Sequence, residues 1–449
     1  MVKLLSQSMD RFRSNLGSIT WTPTLRVAKS TILSVLSQIQ IGALQLVDES
    51  DQTNYVFGQR DAEASENTAM GAPPRHRIDN VPLVKLVIKK AEFWMRLFLF
   101  ADMGFAEAYM LKDFECQDLT SFFQLFIMNR EQLNNGTTWI SQLSSAVSNL
   151  ARSTNTLSNA LLNVSAHYDI SNDMFAAFLS PDMTYSCPIW DCNQPNSDEP
   201  LESAQVRKLT YFIEGARIQP SDHVLEIGTG WGSFAIEAVK RTSCQVTTIT
   251  LSTEQKAMAE KRIEEAGLRN RIEVRLQDYR ELPVPVMPYD KIISIEMLEA
   301  VGKDYLTAYF DCVHRFLKPN GGIAMFQCIT MPERRHEAYS KSKEFKLANG
   351  SSFINQYIFP GGYLPSITQI LNHISCQSQG SLIIEKVENI GGHYAKTLRL
   401  WRESFLGKFE KTIRPALLRE HPDMTKEAIQ VFRKKWEVRN NTSWILDTC

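Results

Sequence analysis

A chain of 449 residues, 43% hydrophobic and 22% charged, has room for two folded domains of ordinary globular composition. Its formal net charge of −1 supplies no global basic field, which argues against nucleic acid as a partner. Eight cysteines without a Cys-x-x-Cys pair argue against a zinc or disulfide framework and for a reducing compartment. The most apolar stretch, Val81 to Phe105, is broken by Lys85, Lys89, Lys90, Glu92, Arg96 and Asp102, so it does not read as a membrane span.

The first 40 residues carry five basic side chains, one acid (Asp10) and many serines. This fits a basic amphipathic helix on a protein or membrane surface, with a mitochondrial transit peptide as the second reading. Leu25, Ala28, Ile32, Leu36 and Ile39 form a helical face, expected to pack within the domain. The alternative is contact with lipid headgroups through Arg26 and Lys29. Ile41 to Phe57 reads as two strands turning near Asp48-Glu49-Ser50-Asp51, and 58–80 as a polar loop. Val84 to Tyr109 carries an aromatic stripe (Phe93, Trp94, Phe98, Phe105, Tyr109 among it) of the kind that packs in a core. A further helix is expected over Leu119 to Arg130. Asn134 to Asn163 is rich in Ser, Thr and Asn, yet Trp139, Leu143, Val147 and Leu150 keep a helical face. The expected organisation is an N-terminal accessory, lipid-binding domain over 1–135, a helical connector over 136–165 and a catalytic domain over 166–449.

His167 to Phe175 and Met183 to Trp190 are polar-aromatic clusters that read as a lid. Beyond them His223 to Ile227 is short and apolar, as a buried parallel strand is. Gly228, Gly230 and Gly232 follow at alternate positions, and a helix opens at Phe234. A strand that runs through glycines into a helix brings backbone N–H groups against a ligand. Further strands are expected at Cys244 to Thr250, Arg271 to Leu276, Lys291 to Ile295 and Gly321 to Ile329, with Ser252 and Gln255 as a capping box after the first of them. Each strand ends in a polar cluster: 228–232, 250–255, 277–279, 296–299 and 327–329. In parallel α/β sheets ligands sit at those carboxyl ends, so the five clusters point to one shared site.

The Gly-x-Gly-x-Gly spacing, with Glu226 two residues before it, resembles motif I of class I S-adenosylmethionine-dependent methyltransferases. The wider set resembles the cyclopropane fatty acid synthase family, which includes the mycolic acid cyclopropane synthases. That set comprises His167-Tyr168-Asp169, Tyr185-Ser186-Cys187, Val224 to Gly232, Thr250-Leu251-Ser252 with Gln255, Leu276 to Arg280, Glu299-Ala300-Val301-Gly302, Tyr357 to Gly362 and His393 to Leu398. The likeness covers 160–410 strongly and 41–130 weakly. It implies an α/β fold: a mainly parallel, doubly wound Rossmann-like sheet, preceded by a smaller, mostly helical α+β N-terminal domain.

The resemblance also implies an activity. The methyl group of S-adenosylmethionine would pass to the cis double bond of an unsaturated phospholipid or fatty acyl chain, and loss of a proton to bicarbonate would close a cyclopropane ring. A cation formed on the way requires a dry site. Glu226, Gly228, Gly230, Trp231 and Gly232 would cradle the cofactor's methionine part, with Tyr185 and Ser186 near its carboxylate. Thr250 and Gln255 would meet the ribose and adenine, and Gln277, Asp278 and Tyr279 would flank adenine. Cys187, Glu299, Gln327, Tyr394 and the backbone of Ile329 would surround bicarbonate. No metal is implied. The substrate implies a cytoplasmic, peripherally membrane-associated protein, and a homodimer stays open.

Departures mark a subtype. Thr229 stands where the best-known members have Cys, Ala300 where many have His, and Gln327 where bacterial synthases have His. Gln can donate a hydrogen bond but cannot take a proton. After Trp436 the family's usual Cys-Glu-Ala-Gly-Phe is absent. Two alternatives stand beside ring formation. One is a sister methyltransferase leaving a methyl branch or methylene, and the other a catalytically silent lipid-binding relative.

Overall fold

The computed structural model describes residues 22–59, 82–133, 172–191, 193, 198–341 and 362–441. Two compact units result: Met1–Asp169 with Asp423–Thr448, and Ile170–Pro422. The expected connector at 136–165 lies outside the described residues.

In the first unit, helix α1 over 22–36 buries Ala28, Ile32 and Leu36, with Ile39 buried just beyond, so the predicted apolar face packs inward. Strand β1 (Gly42–Asp48) pairs antiparallel with β2 (Thr53–Gln59) through the expected turn, and parallel with β3 (Leu83–Ile88). β3 pairs antiparallel with β4 (Phe114–Cys116), giving the order β2-β1-β3-β4. The stretch read as one helical stripe from Val84 divides. Val84, Leu86 and Ile88 are buried at alternate positions, the period of a strand, and helix α2 begins at Glu92 and runs to Met110. Helix α3 (Leu119–Met128) starts at Asp118, whose side chain accepts the N–H groups of Thr120 and Ser121. Phe93, Phe105, Phe114 and Phe122 meet in the core below.

Lys29 does not face lipid. Its ammonium lies 2.6 Å from Asp48 and 2.5 Å from Asp51, and over the Trp94 ring at 5.1 Å. Asp48 is buried, and a buried carboxylate must be paired to stay charged, which is why the lysine turns inward. Arg26 stays exposed. The C-terminal helix Lys426–Asn441, expected within the catalytic region, instead belongs to this unit and packs on α2. It buries Phe432 and Trp436, and Lys434 donates to the Tyr109 hydroxyl at 2.7 Å.

The second unit holds a five-stranded sheet in the order β7-β6-β5-β8-β9. Its strands are β5 (His223–Ile227), β6 (Gln245–Thr250), β7 (Ile272–Leu276), β8 (Lys291–Ile295) and β9 (Ile323–Gln327). Every pairing is parallel. Helices cover both faces, so the strands are apolar on both sides. Val224, Val246, Val274 and Ile293 pack with Phe212, Phe234 and Val239 on one face. Leu225, Ile227, Ile249 and Ile292 pack with Tyr309, Phe310 and Val313 on the other. β5 lies between β6 and β8, so chain direction across the sheet reverses beside it, and a crevice forms there at the strands' carboxyl ends.

Candidate active site

β5 leads into a turn holding Gly228, Gly230 and Gly232, with φ of +104°, +51° and +84°. All three lie in the region that L side chains avoid. A Cβ on Gly228 would stand 3.3 Å from Met297, and one on Gly232 3.3 Å from Ala259; one on Gly230 would meet no atom of the described residues within 4 Å. The outer two glycines therefore sit tightly against their neighbours, and the middle one has room beside it among the described residues. The helix Ser233–Thr242 starts there and presents its N-terminus to the same side. Behind the turn, the Glu226 carboxyl is buried and its Oε2 has no partner among the described residues. Burial pushes its pKa up to about 8.

At the end of β6, the Thr250 hydroxyl donates to Gln255 Oε1 at 2.8 Å, and Ser252 Oγ accepts the Gln255 N–H at 3.1 Å, forming the expected helix cap. At the end of β7, Gln277 donates its side-chain amide to the Glu281 carbonyl at 3.1 Å. Asp278 accepts from the Arg280 N–H and guanidinium, which hold its carboxyl below the usual range. Tyr279 is buried edge-on against Tyr309. On the other side of the crevice, Trp231 donates to Asn172 Oδ1 at 2.8 Å and packs on Phe175, which packs on Tyr185. Of the lid segment His167 to Phe175, residues before Asn172 lie outside the described ones.

Between these walls sits a buried polar cluster. Glu296, just past β8, accepts the Cys187 N–H at 2.8 Å and Gln327 Nε2 at 2.8 Å on Oε1, and the Tyr394 hydroxyl at 3.2 Å on Oε2. Gln327 also donates to the Cys187 carbonyl at 3.0 Å. Glu299 Oε1 accepts the Ile329 N–H at 2.5 Å, and Glu299 Oε2 has no partner among the described residues. Below, Lys208 is wholly buried and donates to Ser186 Oγ at 2.6 Å, while Gln205 donates to the Ser186 carbonyl at 2.8 Å. Burial lowers the Lys208 pKa to about 8 against the pull of Glu296, Asp182, Cys187 and Glu226. Burial raises both Glu296 and Glu299, and the Glu296 charge helps take Glu299 to about 8. Only Glu296 has side-chain donors and the lysine to favour its anion. Of the two it is the one that ionises first, and Glu299 holds its proton near neutral pH.

Residues 155–431 match the family model described as mycolic acid cyclopropane synthetase. The chain belongs to that family. It is 36% identical over 308 residues to the tuberculostearic acid methyltransferase of Mycobacterium tuberculosis, covering 68% of each chain. It is 34% identical over 321 residues to the cyclopropane-fatty-acyl-phospholipid synthase of Escherichia coli, covering 71% of this chain and 76% of that one. A solved mycolic acid cyclopropane synthase, complexed with SAH and CTAB, superimposes with a TM-score of 0.51 at 27% identity, over 63% of this chain and 93% of the other. This member of the cyclopropane synthetase family is thus a methyltransferase with the class I fold expected of it.

In this family member the assigned residues Tyr185, Ser186, Cys187, Glu299, Gln327, Ile329 and Tyr394 converge on one cluster. The glycine turn, Thr250, Gln255, Gln277, Asp278 and Tyr279 lie at the ends of β5, β6 and β7. Two central groups escaped the sequence reading. Lys208 lies on the helix Leu201–Gly215, whose buried face is Ala204, Gln205, Lys208, Leu209 and Phe212. The signal was a lysine and a glutamine at core positions of a helical period. Glu296 stood in a polar strand end already singled out, three residues before Glu299.

One consequence is measurable. The unfolded chain loses the Glu299 proton above about pH 4.5, while the folded protein keeps it to about 8, so stability falls as pH rises through that window. Glu299→Gln keeps an acceptor for the Ile329 N–H and has no charge to bury. It should melt higher than wild type at pH 8, with the gap closing toward pH 5, in thermal scans without ligand. An equal gap at both pH values would contradict the shifted carboxyl.

Proposed function

We infer that this protein transfers the methyl group of S-adenosylmethionine to the cis double bond of an unsaturated, phospholipid-bound fatty acyl chain and closes a cyclopropane ring. The observation that carries the reading is the pair of carboxyls, Glu296 and Glu299, buried beside a glycine turn in a family named for cyclopropane synthesis.

The residues present fit the cofactor. Among the described residues no atom lies within 4 Å of where a Gly230 Cβ would be, and the buried Glu226 Oε2, two residues before the turn, has no hydrogen-bond partner. When bound, S-adenosylmethionine supplies an electrophilic sulfonium methyl, which needs no metal. Gly228 to Gly232 would hold its methionine part, and Thr250, Gln255 and Asp278 its ribose and adenine. The aromatic side chains of Phe175, Tyr185 and Trp401 pack together and exclude water from a positive charge developing on the acyl chain. The carboxylate cluster offers that charge a fixed counter-charge.

The residues present do not fit a bound bicarbonate. The donors that would hold it, the Cys187 N–H, the Gln327 amide and the Tyr394 hydroxyl, are directed at Glu296. A further anion there would lie against two carboxyls with one buried lysine.

The deciding experiment is lipid mass spectrometry after expression in a host that lacks cyclopropane lipids. Ring formation gives an acyl product heavier by one CH2 that survives mild hydrogenation. Similarity to a relative named as a fatty acid methyltransferase favours a second reading, in which the product is a methylene or methyl branch. A methylene would be reduced in the same assay, and a branch would show as a saturated chain.

A lipid substrate also implies contact with a membrane surface. Among the described residues no helix is long and apolar enough to cross one. With Lys29 paired inside the unit, the contact would draw on Arg26 and the basic residues before it. Residues 1–21 lie outside the described part of α1. Their removal should weaken flotation with anionic vesicles, and salt should weaken it further, because exposed charges are screened beyond about 8–10 Å at physiological ionic strength. Unchanged flotation would exclude this segment from the contact.

A further inference from the structure

We propose that Glu296 is the catalytic base, a carboxylate supplied by the chain itself in the position that family resemblance gives to bicarbonate. The proposal rests on the methyl-transfer reading above. A bicarbonate ion is a planar anion, and three of the residues assigned to it already bind a planar anion: Cys187, Gln327 and Tyr394 all donate to Glu296 at 2.8–3.2 Å. Gln327 is fixed for this task, because the same amide also reaches the Cys187 carbonyl. An amide in place of a histidine cannot accept a proton, so the proton must go to another group.

The backbone supports the assignment. Glu296 has φ of +50°, and its N–H is held by the Gln327 carbonyl at 2.7 Å. A non-glycine residue in the left-handed region is strained, and such strain persists where surrounding structure holds it for a purpose. Glycine would take this conformation freely. The retained glutamate side chain is the part that uses it, since this turn sends the carboxylate toward Cys187 and Tyr394. Lys208, wholly buried beneath, balances the charge.

The step balances. After methyl transfer the substrate carries a cation on the carbon next to the one methylated. A C–H bond of the added methyl breaks, its electron pair forms the second carbon–carbon bond of the ring, and the proton passes to a Glu296 oxygen. Glu296, now a neutral acid, returns the proton to solvent before the next turnover.

The test compares wild type with Glu296→Gly and Glu296→Gln. Glycine relieves the backbone strain and leaves the three donors in place, so that variant should fold. Glutamine keeps the shape without the charge. Wild-type turnover should be unchanged in carbonate-free buffer. Both variants should lose about 10²–10⁴ in rate, the usual scale for a lost proton acceptor, with S-adenosylhomocysteine affinity by calorimetry within a few-fold of wild type. Added bicarbonate should restore at least about tenfold to Glu296→Gly and nothing to Glu296→Gln, since only the first opens room among the donors. The 13C resonance of labelled bicarbonate should broaden with Glu296→Gly and stay sharp with wild type. Wild-type turnover that stops without bicarbonate, a broadened line with wild type, or full activity in Glu296→Gln would overturn the proposal. If wild type methylates no lipid, the methyl-transfer reading fails instead, and the carbon resonance still decides what fills the anion position.

Discussion

Gly230→Val should lose S-adenosylhomocysteine binding by about 100-fold or more in titration calorimetry. Two penalties act. Gly230 holds φ of +51°, where an L side chain costs roughly 1–2 kcal/mol of stability and a β-branched one more. The new side chain also projects into space that no atom of the described residues fills within 4 Å of the Cβ, where a cofactor would approach. A steric block of some 3 kcal/mol there corresponds to about two powers of ten in affinity. Gly232→Ala makes the useful contrast. Its Cβ would press on Ala259 at 3.3 Å, so it should cost mainly stability. Melting temperatures taken alongside separate the two effects. Equal affinities for wild type and Gly230→Val would remove the glycine turn from the cofactor site.

The parallel sheet and its order of elements were legible because the signals are local. Val224-Leu225 and Ile292-Ile293 are apolar runs buried on both faces, and glycines or capping residues punctuate them. Strand ends were less so: Cys244, Gly321 and Ile329 fall outside the strands, since the pairing stops where the neighbouring strand's turn begins. Val84 to Ile88 was read with the following helix because apolar residues there satisfy both periods, and only pairing with β1 chooses between them. Lys29 was open to two readings because its partners, Asp48 and Asp51, lie some twenty residues away. The site residues were named one by one through resemblance, but their wiring was not. No spacing rule states that Glu296 takes the donors of Cys187, Gln327 and Tyr394, which arrive from positions 109, 31 and 98 residues distant.

Lys208→Met should destabilise the protein by about 3 kcal/mol or more at pH 8, a buried charge having lost its counter-charge. For a domain of this size that is roughly 10 °C in melting temperature. The lysine is fully buried, and the groups facing it are Glu296, Asp182, Cys187, Glu226 and the Ser186 hydroxyl. Methionine fills its volume, so the loss is electrical rather than a cavity. The pH dependence follows from the shifts. Burial raises the carboxyl of Glu226, to about 8, and that of Glu296 as well, so lowering the pH favours their neutral forms and the variant's loss should shrink. As pH rises the carboxyls must either ionise without Lys208 or keep protons that the unfolded chain has released, and either costs stability. Lys208 adds a smaller term of opposite sign. Its folded pKa near 8 lies below the usual 10.5, so wild type itself gains stability between those values as the unfolded lysine alone keeps its proton. Adding Glu296→Gln to Lys208→Met removes the stranded charge and should recover much of the loss, a coupling that a double-mutant cycle measures directly. Strict additivity of the two substitutions would show that Lys208 and Glu296 do not share a charge balance, and the anion at the centre of the site would need another counter-ion.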